Sequence, residues 1–155
     1  MPRTLILGLG NDILTDDAIG LRLAQLLRRG ASAASEIEVR ETTEMGLALL
    51  DHMVGYDHVW ILDAIQTGRA EPGFLHELDA VSLKQLAGGS PHFLGVGETL
   101  LLGRLLGLEM PSFVRILAVE VEDPFTLGTR MTSALESALP ELAERIAGRV
   151  ANGPA

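Results

Sequence analysis

Apolar positions along this chain fall into two rhythms. Residues 4–9, reading TLILGL, form a near-continuous apolar run that stops at Gly8, Leu9 and Gly10. A strand buried on both faces, as in a parallel sheet, has this pattern. Ile19, Leu23, Leu26 and Leu27 then recur at helical spacing and predict one face of a helix that ends by Gly30. Residues 36–43 alternate through Ile37 and Val39 and predict a second strand. A short helical pattern over 46–53 follows. Residues 59–62, reading VWIL, predict another buried strand, ending at Asp63. Residues 73–78 suit a short antiparallel or edge strand. Residues 94–108 read as a buried helix preceded by Ser90, Pro91 and His92. Residues 114–119 predict a further core strand and 131–150 the closing helix, which Pro140 should kink or restart. Residues 152–155 are expected to fray.

Strands that alternate with helices predict an α/β fold: a mostly parallel, twisted sheet of about five strands with helices on both faces. No repeat or long linker divides the chain, so residues 1–155 are read as one domain. In such folds functional groups gather at the carboxyl ends of the strands. That rule points at the loop over residues 10–17 and at Asp63.

Composition narrows the chemistry. A length of 155 residues is that of one ordinary domain. With 47% hydrophobic and 21% charged residues the chain suits a packed globule. It has no cysteine, which excludes a disulfide scaffold, a thiolate zinc site, an iron–sulfur cluster and a cysteine nucleophile. Lys84 is the single lysine, so Walker-type phosphate chemistry has almost no candidate. A net charge of −9 argues against nucleic-acid and anionic-lipid partners. No apolar run is long enough to span a bilayer, and no signal peptide is expected, so the cytoplasm is the default location.

Four segments carry candidate chemistry, each beside a plainer reading. Gly8 and Gly10 begin like a dinucleotide fingerprint, but Ile13 stands where its third glycine belongs. Asp16 and Asp17 would repel a pyrophosphate at the helix start. The plainer reading is a tight strand-to-helix turn. Asp16 and Asp17 themselves suit helix capping, or one could cap while Asp17 points into a cleft. Asp63, at the end of an apolar run, is either a hydrogen-bonded loop anchor or a functional acid. His92 is either a helix-start packing residue or a ligand or base. His52, His58 and His76 have no comparable setting and read as surface or packing residues. A serine triad has no G-x-S-x-G elbow, and no H-E-x-x-H helix is present. Two carboxylates and an imidazole could form an oxygen/nitrogen metal site or an acid–base site.

Residues 8–20, GLGNDILTDDAIG, closely resemble the N-terminal signature of the [NiFe]-hydrogenase maturation endopeptidases. Asp63, between Leu62 and Ala64, matches that family's second acid. Ser90, Pro91 and His92, followed by Leu94 and Gly95, match its histidine segment. The three landmarks come in order and at nearly the right spacing, so the resemblance covers essentially the whole chain. It implies a protease that trims the C-terminal extension of a hydrogenase large-subunit precursor after nickel insertion. It also implies Asp17, Asp63 and His92 as the catalytic and metal-binding trio, with a supporting loop of Gly10, Asn11, Asp16, Glu44 and Gly46. The nickel would be carried by the substrate and not held permanently. The scissile bond would follow a basic residue near the end of the mature subunit. Thr43, Glu44, Met45 and Gly46 stand where the family has a Gly-Thr-x-Gly segment, and Phe93 replaces a frequent glutamine. Those departures bear on which large subunit is accepted. The rival readings are a non-cleaving nickel-sensing chaperone of the large subunit and a nucleotide-binding domain. The large subunit is expected as a transient partner, and the protein as a monomer, since no exposed apolar helix is expected once the core is assigned.

Overall fold

The computed structural model describes residues 1–30, 36–79 and 96–154. Its chain order begins with strand β1 (Thr4–Leu9), a 3-10 turn (Thr15–Ala18), helix α1 (Ile19–Gly30) and strand β2 (Ile37–Thr42). A second 3-10 turn (Gly46–Leu49) runs into the single-turn helix α2 (Leu50–Met53). Strands β3 (His58–Ile65) and β4 (Leu75–Leu78), helix α3 (Val96–Leu105), strand β5 (Phe113–Glu120) and helix α4 (Ser133–Ala151) complete it. The strands form one sheet in the order β2-β1-β3-β5-β4. All neighbours are parallel except β4, which runs antiparallel to β5 at the edge.

The apolar runs of β1 and β3 are continuous because both faces of the sheet are covered. Side chains alternate across a strand, so each run feeds two cores. Leu5, Leu7, Leu9, Val59, Ile61 and Ile116 pack with Met53 of α2 and with Val96 and Leu100 of α3. Ile6, Trp60, Leu62 and Leu117 pack on the opposite face with Ile19 and Leu23 of α1 and with Leu135, Leu139 and Ile146 of α4. The predicted α/β class, the parallel sheet and the antiparallel edge strand are all present.

Strand order reverses at β1. The chain steps outward from β1 to β2, then returns past β1 to β3. The switch point between β1 and β3 is where an open α/β sheet leaves a crevice beyond its carboxyl ends. Asp17 lies just after β1 and Asp63 lies in β3, one on each side of it.

Three expectations need correction. Strand β3 does not stop at Asp63 but continues to Ile65, because β5 goes on pairing with it through Ile65↔Glu120. On the β1 side the ladder ends at Gly8↔Leu62, so Asp63 is inside the strand on one flank and beyond it on the other. Helix α3 is not fully buried. Leu100, Leu101 and Leu102 are consecutive and point around the helix, so only one side can meet the sheet. Leu101, Leu105 and Leu106 are exposed, which removes the premise on which a monomer was expected. Helix α4 starts at Ser133 and runs through Pro140 unbroken. Pro140 faces solvent, where water can satisfy the freed carbonyl one turn earlier. Leu135, Leu139, Leu142 and Ile146 hold the other face to the core.

Candidate active site

Close backbone approach builds the crevice. A Cβ on Gly20 would lie 2.3 Å from the Leu9 carbonyl oxygen and 2.4 Å from that of Leu62. Helix α1 therefore starts directly over the ends of β1 and β3, and only glycine leaves the room. A Cβ on Gly10 would lie 2.3 Å from the Asp17 carbonyl oxygen. The loop leaving β1 thus folds back onto the turn that carries Asp17. That turn packs against β3, the strand that carries Asp63.

The two adjacent acids share one 3-10 turn, Thr15–Ala18. Asp16 is fully buried, yet it does not cap α1. Its carboxylate accepts hydrogen bonds from the backbone N–H groups of Glu122 (3.2 Å) and Asp123 (2.8 Å). It also accepts from the backbone N–H (2.8 Å) and hydroxyl (3.0 Å) of Thr132. Its own N–H donates to the Asp123 carbonyl at 2.9 Å. Asp16 therefore clamps the loop after β1 to the loop after β5 and to the residue that opens α4. A buried carboxylate is tolerable with that many donors.

Asp17 is buried to 7% exposure in the same 3-10 turn. Thr15, two residues earlier, has φ 27, a left-handed conformation that a β-branched residue adopts only under constraint. The constraint is visible: its hydroxyl donates to the Thr126 carbonyl, and its N–H donates to the Gly128 carbonyl at 3.2 Å. Asp63 is fully buried and accepts from the Ala64 N–H at 2.7 Å. His92, the third expected member, lies outside the described residues, as do Ser90, Pro91, Phe93, Leu94 and Gly95. Among the described residues no three His, Asp or Glu side chains converge to hold a metal ion.

The supporting residues divide. Gly10 shapes the loop as described, and the Asn11 side-chain oxygen accepts from the Ile13 N–H at 3.1 Å. The Glu44 carboxylate accepts from the Thr42 hydroxyl at 3.3 Å and meets Nε2 of His52, in α2, at 3.1 Å. Gly46 opens the second 3-10 turn with φ 65, a left-handed position that suits glycine.

One cluster escaped the sequence reading. Glu120, at the end of β5, is 2% exposed. It accepts from the Thr67 N–H (2.8 Å), the Thr67 hydroxyl, the Gly68 N–H (3.3 Å) and Nε2 of His76 (3.0 Å). Burial pushes its carboxyl pKa up, but the hydrogen bonds from Thr67, His76 and Gly68 outweigh this and hold it below the usual glutamate value. Of the two readings of His76, surface or packing, the structure shows packing: it pairs in register with Ala118, which pairs with Asp63. Asp63, Ala118 and His76 thus form one row across three strands, on the sheet face that carries α3. A signal for Glu120 existed. It ends an apolar strand just as Asp63 follows one.

A family model described as hydrogenase maturation protease matches residues 21–149. Hydrogenase 2 maturation protease of Escherichia coli strain K12 is 30% identical over 148 residues, 90% of this chain and 88% of that protein. The hydrogenase expression/formation protein HupD of Thiocapsa roseopersicina is 27% identical over 154 residues, 92% of this chain and 69% of that protein. Among solved structures, the hydrogenase maturating endopeptidase HybD from E. coli superposes with a TM-score of 0.80 at 30% identity, covering 97% of this chain and 94% of its own. The maturation protease HybD from Thermococcus kodakarensis gives a TM-score of 0.70 at 25% identity, covering 96% and 98%.

Proposed function

The chain belongs to the hydrogenase maturation protease family, and on that premise we propose that it removes the C-terminal extension of a [NiFe]-hydrogenase large-subunit precursor once nickel is in place. The observation that carries this reading is the position of Asp17 and Asp63 on opposite sides of the β1/β3 switch point. A carboxylate buried inside a strand, as Asp63 is, is costly to desolvate and is kept where it has a task.

The nickel arrives as part of the substrate. Asp17, Asp63 and His92 offer oxygen and nitrogen donors, which suit a borderline ion. Contact with the ion distinguishes a loaded precursor from an empty one and holds the scissile bond beside the carboxylates. The chain has no thiolate of its own, so its donors can touch the nickel and release it. Hydrolysis adds one water across one peptide bond and frees the mature subunit and a short peptide. The large subunit is a transient partner in this scheme, met in the cytoplasm.

Mass spectrometry of the precursor before and after incubation tests the proposal. The nickel-loaded precursor should lose a single C-terminal peptide, and the nickel-free precursor should keep its mass. Binding to the loaded precursor with no mass change would overturn cleavage in favour of a non-cleaving nickel-sensing chaperone.

A further inference from the structure

Beside the crevice stands an apolar tip that the fold itself does not need. Ile13 is 53% exposed, Phe125 75% and Leu127 75%. Single exposed apolar side chains are ordinary. These three, however, sit on two loops that are locked to each other. The Gly128 N–H donates to the Ile13 carbonyl at 2.9 Å, and Leu14 bridges Leu127. The Asp16 carboxylate and the Thr15 hydroxyl tie the same loops together further in. The Asp123 side chain accepts from the N–H groups of Phe125 (3.1 Å) and Thr126 (3.0 Å), which sets the turn that presents Phe125. Holding exposed apolar residues in a fixed backbone lowers the entropy lost on binding and does little for a solvated loop.

Charge limits what can cover the tip. The two loops, residues 10–18 and 121–132, contain five acids, Asp12, Asp16, Asp17, Glu122 and Asp123, against one arginine, Arg130. Asp12 and Glu122 are exposed. A second copy of the chain would set these acids against each other, and an anionic surface would be repelled. An apolar surface of neutral or positive charge is complementary. Ile13 precedes Asp17 by four residues, so whatever docks there lies alongside the crevice.

We propose that Ile13, Phe125 and Leu127 form a preorganised docking tip for an apolar, non-anionic surface of the protein substrate. This rests on the cleavage reading above and adds the surface that holds the substrate while it is cut. The tip contributes equally to bound substrate and transition state, so its loss raises KM and leaves kcat alone.

Steady-state cleavage of the full-length, nickel-loaded precursor by Ile13→Ser, Leu127→Ser and Phe125→Ser plus Leu127→Ser tests this, with circular dichroism to show that each variant is folded. The double variant should raise KM at least tenfold, roughly the effect of losing a central aromatic anchor, with kcat within about twofold of wild type. Unchanged KM in all folded variants, with wild type cleaving normally, overturns the docking tip and leaves the cleavage reading standing. Failure of the wild type to cleave overturns both. A wild-type dimer in sedimentation that the double variant abolishes overturns the tip as a substrate surface and makes a second copy its occupant.

Discussion

Gly20 of α1 stands so close to Leu62 of β3 that an added Cβ would come within 2.4 Å of the Leu62 carbonyl oxygen. Leu62 immediately precedes Asp63, and Gly20 follows Asp17 by three residues. One backbone contact thus brings the two acids' segments together. Both neighbours of the missing Cβ are main-chain oxygens, which cannot swing aside as a flexible side chain would.

Gly20→Ala should therefore lift α1 from the sheet. Overpacking of this kind costs about 1–3 kcal/mol, or a fall in Tm of roughly 2–4 °C per kcal/mol for a chain of this size. Cleavage should fall more than stability alone explains, since the crevice widens. A thermal melt paired with the precursor assay checks both. A variant with wild-type Tm and turnover would show that the approach is not needed.

Asp16 and Asp17 should fail in opposite ways. Asp16→Ala leaves the N–H groups of Glu122, Asp123 and Thr132 without their acceptor, at about 1–3 kcal/mol for each donor left buried and unsatisfied. The urea midpoint should drop sharply and the loops after β1 and β5 should lose hydrogen-exchange protection together.

Asp17→Asn, Asp63→Asn and His92→Ala should instead abolish processing while the far-ultraviolet dichroism and urea midpoint stay close to wild type. Normal processing by all three would dismiss the assigned trio.

Glu120 gives a pH signature. Its carboxyl titrates below the ordinary 4.5 in the folded protein, so it contributes stability above that pH and loses it as pH falls through the lowered value. Glu120→Gln should be less stable than wild type at pH 7, and the gap should close as the solution is acidified below about 4.5. Urea unfolding at pH 7, 5 and 3 measures the gap. A constant difference at all three would mean that Glu120 acts by shape and not by charge.

Legibility in the sequence was uneven, for a physical reason in each case. Asp63 could be picked out because a polar residue closing an apolar run is a local anomaly. Glu120 closes the run of β5 in the same way, but its partner His76 lies 44 residues earlier, and no local pattern joins the two. Helix α3 looked buried because its leucines are numerous. Which of them meet the sheet is a matter of helix rotation, and Leu101 and Leu105 face outward.

The sequence by itself determined the alternation of strands and helices, the double burial of β1 and β3, and the segments that carry acids. These follow from the spacing of apolar residues and from glycine, which are properties of neighbours along the chain. Only the tertiary structure decided that Asp16 clamps the loop after β1 to the loop after β5. Asp16 and Asp17 are chemically identical and adjacent. What singles out Asp16 is the loop after β5, more than 100 residues away, whose Glu122 and Asp123 N–H groups converge on its carboxylate.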